Sequence, residues 1–88
     1  MNALEIELLK LSFNSFKETG NRYFEFPIKN PTELLHYTES ARYLDEDGYI
    51  VAVSDNILSD SIPILASQLA SIAFEITDKG IEYIRDYI

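Results

Sequence analysis

The chain has 88 residues, no cysteine and a formal net charge of −8. Disulfide staples and thiolate metal sites are therefore excluded, and the negative balance works against binding to polyanions such as nucleic acid. An apolar content of 47%, with six tyrosines and five phenylalanines, suits one small folded domain over residues 1–88 and rules against wholesale disorder.

Residues 2–18 predict a helix with two apolar stripes. Leu4, Leu8 and Leu11 recur at i, i+4 and i+7, while Ile6, Leu9, Phe13 and Phe16 form a second stripe on roughly the opposite side. A surface helix needs only one apolar face, so this one is either deeply embedded in its own domain or packed on a second chain. Glu5 and Glu7 interrupt the first apolar run and no basic region precedes it, which argues against a secretory signal. No segment reaches the ~18 apolar residues of a membrane span, so the expectation is a cytoplasmic protein without membrane contact.

Thr19-Gly20-Asn21 ends the first helix, with Gly20 as a left-handed cap. Tyr23 to Ile28 alternates aromatic and polar residues and carries Pro27, the pattern of a short edge strand. Asn30-Pro31 then opens a second helix, Asn as N-cap and Pro at the first position, with Glu33 placed to reach back to the cap. Leu34, Tyr37, Ala41 and Leu44 draw one unbroken stripe from Pro31 to Asp47. A helix-turn-helix would need a break at His36-Tyr37-Thr38, with Thr38 as a new N-cap, and would leave a second helix of barely two turns. One long helix is the preferred reading.

Gly48 stops that helix, and Tyr49 to Val53 is an apolar, β-branched strand. Ser54-Asp55-Asn56 reads as a turn. Residues 57–70 are unusually apolar for an exposed loop and read either as an extended hairpin or as a short helix opened by Pro63. Ile72 to Ile76 is a return strand, and Thr77 caps a last helix from Asp78 to about Tyr87, with Asp78 and Arg85 placed as the helix dipole favours. The expected core is Leu8 or Leu9, Leu34, Ala41, Leu44, Ile50, Phe74, Ile76, Ile81 and Ile84.

The segments Tyr43-Leu44-Asp45-Glu46-Asp47-Gly48-Tyr49-Ile50 and Ile76-Thr77-Asp78-Lys79-Gly80-Ile81-Glu82-Tyr83-Ile84 carry a family likeness. A long helix ending in a Gly-Tyr-Ile strand, then a Thr-x-Lys-Gly turn into the last helix, resembles the small bacterial winged-helix families, above all the YjcQ-like group of short Firmicute and phage proteins. The resemblance implies an α+β winged-helix fold, winged helix-turn-helix-like, with three main helices, a small antiparallel sheet and a wing between the last two strands. It brings no catalytic residue and no cofactor. The chain departs from the pattern in its long acidic wing and in the missing helix break.

Side-chain chemistry adds little. His36 has no second histidine or cysteine at ligand spacing, Asp45-Glu46-Asp47 lacks the order of a calcium loop, and no phosphate-cradling glycine loop or nucleophile motif is present. No catalytic or metal site is expected. Duplex binding would fall to Lys29, Thr32, His36 and Arg42, supported by Lys10 and Lys17. However, residues 29–47 set only Lys29 and Arg42 against Glu33, Glu39, Asp45, Glu46 and Asp47, and residues 54–72 add Asp55 and Asp60 with no cation. The function expected is a protein-interaction or regulatory module, self-associating as a homodimer. The contact residues would come from Ile6, Leu9, Phe13 and Phe16, from Ile62, Ile64 and Leu65 in the wing, or from Tyr83 and Tyr87. The alternative is a winged-helix DNA-binding transcriptional regulator.

Overall fold

A computed structural model describes residues 1–28, 30–54 and 70–87. Helix α1 (Ala3–Thr19) leads to strand β1 (Tyr23–Ile28), helix α2 (Pro31–Glu46), strand β2 (Ile50–Ala52), strand β3 (Ala70–Ile76) and helix α3 (Asp78–Tyr87). The strands form one antiparallel sheet in the order β1-β3-β2. Three helices and a small three-stranded antiparallel sheet thus make up the described residues, an α+β architecture. The expectations for Ile57 to Leu69, including the contacts through Ile62, Ile64 and Leu65, and for Lys29 lie outside them.

Both of the first two helices open on an asparagine. Asn2 and Asn30 hold extended backbone, and their side chains accept the N–H groups of Glu5 at 2.9 Å and Glu33 at 2.8 Å. These bonds satisfy two of the donors that every helix start leaves open. Among the described residues only the asparagine half of a capping box forms, with no hydrogen bond from either cap returned to its glutamate. α2 runs without a break from Pro31 to Glu46. Thr38 is therefore no second N-cap. It sits fully buried in mid-helix, and its hydroxyl finds no hydrogen-bond partner.

α1 departs from the two-sided reading. Its buried residues are Glu5, Leu8, Leu9, Ser12 and Phe13. On a helical wheel they form one continuous face, in which Leu8 belongs to one predicted stripe and Leu9 and Phe13 to the other. The two stripes are the flanks of a single face whose middle holds Glu5 and Ser12. Ser12 satisfies its hydroxyl locally by donating to the Leu9 carbonyl at 3.0 Å. Leu4 and Leu11 at one margin and Ile6 at the other are half-buried, as is Phe16, which lies on the face itself near the end of the helix. α1 packs on both α2 and α3, which is how so small a domain accommodates so wide a face.

β3 is the central strand. It pairs with β1 along its length, from Tyr23 opposite Glu75 to Ile28 opposite Ala70, and with β2 only from Ile50 opposite Ile76 to Ala52 opposite Phe74. It begins at Ala70 rather than Ile72 because β1 supplies partners for residues 70 and 71. β2 is shorter than Tyr49–Val53, although the Val53 and Ser54 N–H groups both still donate to the Ala73 carbonyl. β1 is an edge strand, as Pro27 predicts.

The inner face of the sheet carries Ile72, Phe74, Ile76, Ile50 and Ala52, with Phe24 and Phe26 at its margin. Phe24 meets Phe74 edge-on at 5.7 Å, and Phe26 meets Tyr37 of α2 at 4.9 Å. Leu8, Leu9, Leu34, Ala41, Leu44 and Ile84 close this core from the helices. Ile81 is only half-buried, contrary to expectation, because the first turn of α3 meets the sheet through Gly80 instead.

Candidate functional site

The two sequence segments that carry the family likeness meet in space. Gly48, at φ +82°, turns the chain out of α2 in a conformation that suits glycine alone. The Gly48 carbonyl accepts the Thr77 hydroxyl at 2.7 Å, and the same hydroxyl oxygen accepts the Gly80 N–H at 3.1 Å. Thr77 N–H donates to the Tyr49 carbonyl at 3.1 Å, and the Lys79 ammonium donates to the Asp47 carbonyl at 2.6 Å. Gly80 is buried, and a Cβ there would collide with the Tyr49 carbonyl oxygen. Its role is close approach of α3 to the backbone entering β2, rather than the turn assigned from sequence.

This junction builds one wall of a cleft of about 380 Å³, lined by Met1, Glu5, Tyr43, Asp47, Tyr49 and Tyr83. α1 supplies Glu5 from its first turn, the end of α2 supplies Tyr43 and Asp47, and α3 supplies Tyr83. The Tyr49 and Tyr83 rings stand edge to face, centroids 5.3 Å apart at 60°. Lys79 Nζ lies 4.5 Å from the centroid of the Tyr49 ring. Glu5 is only 7% exposed, and its carboxylate makes no hydrogen bond or ion pair among the described residues.

A second cleft, of about 310 Å³, lies between α1 and α3 and is lined by Ala3, Ile6, Glu7, Lys10 and Tyr87. Lys10 Nζ sits 5.6 Å from the Tyr87 ring centroid, and Glu7 accepts the Tyr37 hydroxyl at 2.9 Å. Partial burial, and then this contact with Glu7, hold the Tyr37 phenol above its ordinary value of 10.0.

The residues proposed for self-association separate into two groups. Leu9 and Phe13 are spent inside the chain's own core. Ile6 and Tyr87 come together at the second cleft, Tyr87 is 55% exposed, and Tyr83 meets Tyr49 edge to face and stacks on Tyr87. Phe16 is half-buried beneath the Arg22 guanidinium.

Among the described residues, those proposed for nucleic acid do not form a basic patch. Thr32 and His36 are exposed on α2, but Glu33, Glu39 and Glu46 are exposed on the same helix. Arg42 is half-buried and already engaged. The other described cations are dispersed and locally occupied: Lys10 and Lys17 over aromatic rings, Arg22 with Asp78, Lys79 at the junction, Arg85 beside Asp86. Among the described residues no three metal-ligating side chains cluster, and no helix is long and apolar enough to cross a membrane.

Sequence reasoning missed the first cleft altogether. Its lining comes from positions 1 to 83, and the one local signal, a carboxylate in the middle of a mostly apolar helix face, reads equally as an interruption of that face. Comparison with protein-family models, curated proteins and solved structures finds no match.

Proposed function

We propose that this chain is an acidic winged-helix-like module that acts by binding proteins, without catalysis, and that associates with its own copies. The sheet order β1-β3-β2, with helices before β1, between β1 and β2, and after β3, supports the winged-helix reading. The observation that carries the choice of protein over nucleic acid is the exposed side of α2. This helix holds the place of a recognition helix, yet it presents Glu33, Glu39 and Glu46 to solvent. Duplex affinity depends on several Lys or Arg contacts to phosphate, and of the described cations only Arg42, half-buried and engaged, lies on this helix. A DNA-binding regulator is the second reading, favoured by the element order alone.

Sizing chromatography at low and physiological salt, with and without duplex DNA, tests both parts. The expected result is elution ahead of a 10.1 kDa monomer, unchanged by DNA. A DNA complex that weakens steeply with salt would establish the second reading. The copy contact is expected at Ile6 and Tyr87. Tyr87→Glu should shift the species towards monomer and leave the fold intact, whereas Phe13→Glu should unfold the chain, because it places a charge in the core. A folded wild-type monomer at high micromolar concentration would remove self-association.

A further inference from the structure

We propose that the cleft between the start of α1 and the α2–β2–α3 junction binds an organic cation, an alkylammonium or guanidinium group carried on an aliphatic stem. The inference is independent of the protein-binding reading above. It begins with Glu5. The residue is only 7% exposed, its carboxylate has no hydrogen bond or ion pair among the described residues, and what remains accessible of it opens on the cleft, where a cation would supply the missing partner.

The rest of the lining fits the same ligand. Tyr43, Tyr49 and Tyr83 supply aromatic rings, whose faces attract ammonium and guanidinium groups. The edge-to-face pair Tyr49–Tyr83 forms a corner of two rings rather than a flat wall. Tyr49 already attracts the chain's own Lys79 ammonium at 4.5 Å, so the ring is competent for this contact. Asp47 adds a second carboxylate. A volume of about 380 Å³ suits a small organic cation with its stem and lies at the lower end of ligand pockets.

Other ligand classes fit less well. An anion would face two carboxylates. A purely apolar ligand would complete the desolvation of Glu5 without compensating it. A hard metal ion needs more oxygen ligands than two carboxylates supply, and no three metal-ligating side chains cluster among the described residues.

The test is a titration of the full chain, followed by NMR of the tyrosine rings, with tetramethylammonium and butylammonium as cations. tert-Butanol serves as a neutral probe of similar shape, and sodium chloride matches the ionic strength. Saturable shifts of Tyr43, Tyr49 and Tyr83 are expected with the cations and not with the controls. Glu5→Gln should weaken binding at least about tenfold, the scale of losing a buried charge partner. Tyr43→Leu, on an exposed side chain whose replacement the fold tolerates, should weaken it by about threefold or more. Lys79→Met should strengthen it, since it removes a resident competitor for Tyr49.

A blocked Gly-Lys-Gly peptide distinguishes the sources. Tighter binding than butylammonium identifies a lysine side chain of a protein as the ligand, and equal or weaker binding identifies a free small cation. Shifts that do not saturate, an equal response to tert-butanol, or unchanged cation affinity in Tyr43→Leu and in a folded Glu5→Gln variant would overturn the proposal.

Discussion

Two helices of this chain start with the same local pattern and end in different circumstances. α1 opens Asn2-Ala3-Leu4-Glu5 and α2 opens Asn30-Pro31-Thr32-Glu33. The asparagine side chain accepts the glutamate N–H in both, at nearly equal length. Glu33 then stands in solvent, while Glu5 is buried at the mouth of a tyrosine-lined cleft. The helix-start motif accounts for the backbone at both places and for the side-chain environment at neither. Glu5 shares its cleft with Tyr43 and Asp47 from the end of α2 and with Tyr83 from α3, elements joined by the hydrogen bonds around Gly48 and Thr77. A capping pattern thus tells where a helix begins, whereas the use of its glutamate is decided by elements far along the chain.

The comparison can be broken at its root by removing the packing that brings α2 to α1. Leu44 is fully buried beside Tyr43. Leu44→Ala should cost about 2–5 kcal/mol in chemical denaturation, and near-wild-type stability would show that this face of α2 is not the packed one. Gly80→Ala attacks the other wall. The new methyl group meets the Tyr49 carbonyl oxygen, and a loss of about 1–3 kcal/mol is expected. If α3 can be moved off β2 without loss, that variant will behave as wild type.

The caps themselves come next. Asn2→Ala and Asn30→Ala should each cost about 1 kcal/mol, and a large inequality between them would mean that the two starts differ in backbone as well as in surroundings. Smaller still is the contrast between the glutamates. Glu33→Gln should change stability by less than about 0.5 kcal/mol, as at most exposed sites. Glu5→Gln should cost no more than about 1 kcal/mol, the scale of losing a carboxylate from the first turn of a helix. Its larger effect belongs to cation binding.

Tyr37 gives the finest test of how α1 and α2 are tied. A phenol held above its ordinary value keeps its proton more firmly in the folded chain than in the unfolded one. Its contribution to stability is therefore complete below pH 10.0 and is lost as pH rises through the folded value. Tyr37→Phe should flatten the alkaline fall in stability above pH 10.0, measured by urea midpoints across that range. An unchanged alkaline limb would show that neither the partial burial of the phenol nor its contact with Glu7 holds in solution.

Much of the backbone was legible before the structure. Asn30-Pro31, Gly48 and Thr77 each act through local rules of helix starts and stops, and β1 occupies the residues its alternation predicts. The unbroken α2 follows from a stripe with no gap at Thr38. The errors share a cause, which is that burial is decided by partners remote in sequence. Glu5 and Ser12 are polar residues at the centre of a buried face, so the apolar pattern split α1 into two stripes where there is one broad face. Residues 70 and 71 lack strand character of their own and become β3 only because Ile28 and Pro27 lie opposite. Gly80 looked like a turn residue because nothing local reveals that the Tyr49 carbonyl presses on it. The cleft has no contiguous signature at all.

The middle strand of the sheet is also the last one to be made. Synthesis releases β1 and β2 before β3 exists, and neither can find its native partner until residues 70–76 leave the ribosome. Until then the helices can meet each other and β1 and β2 can meet the helices, but the two strands wait without their ladder partner and with open edges. Such edges recruit other chains. Pro27 withholds one donor from the β1 edge and Glu25 sets a charge on it, devices that matter most during that interval and least in the finished molecule. Aggregation during expression should therefore be governed by how soon β3 arrives rather than by the stability of the completed fold.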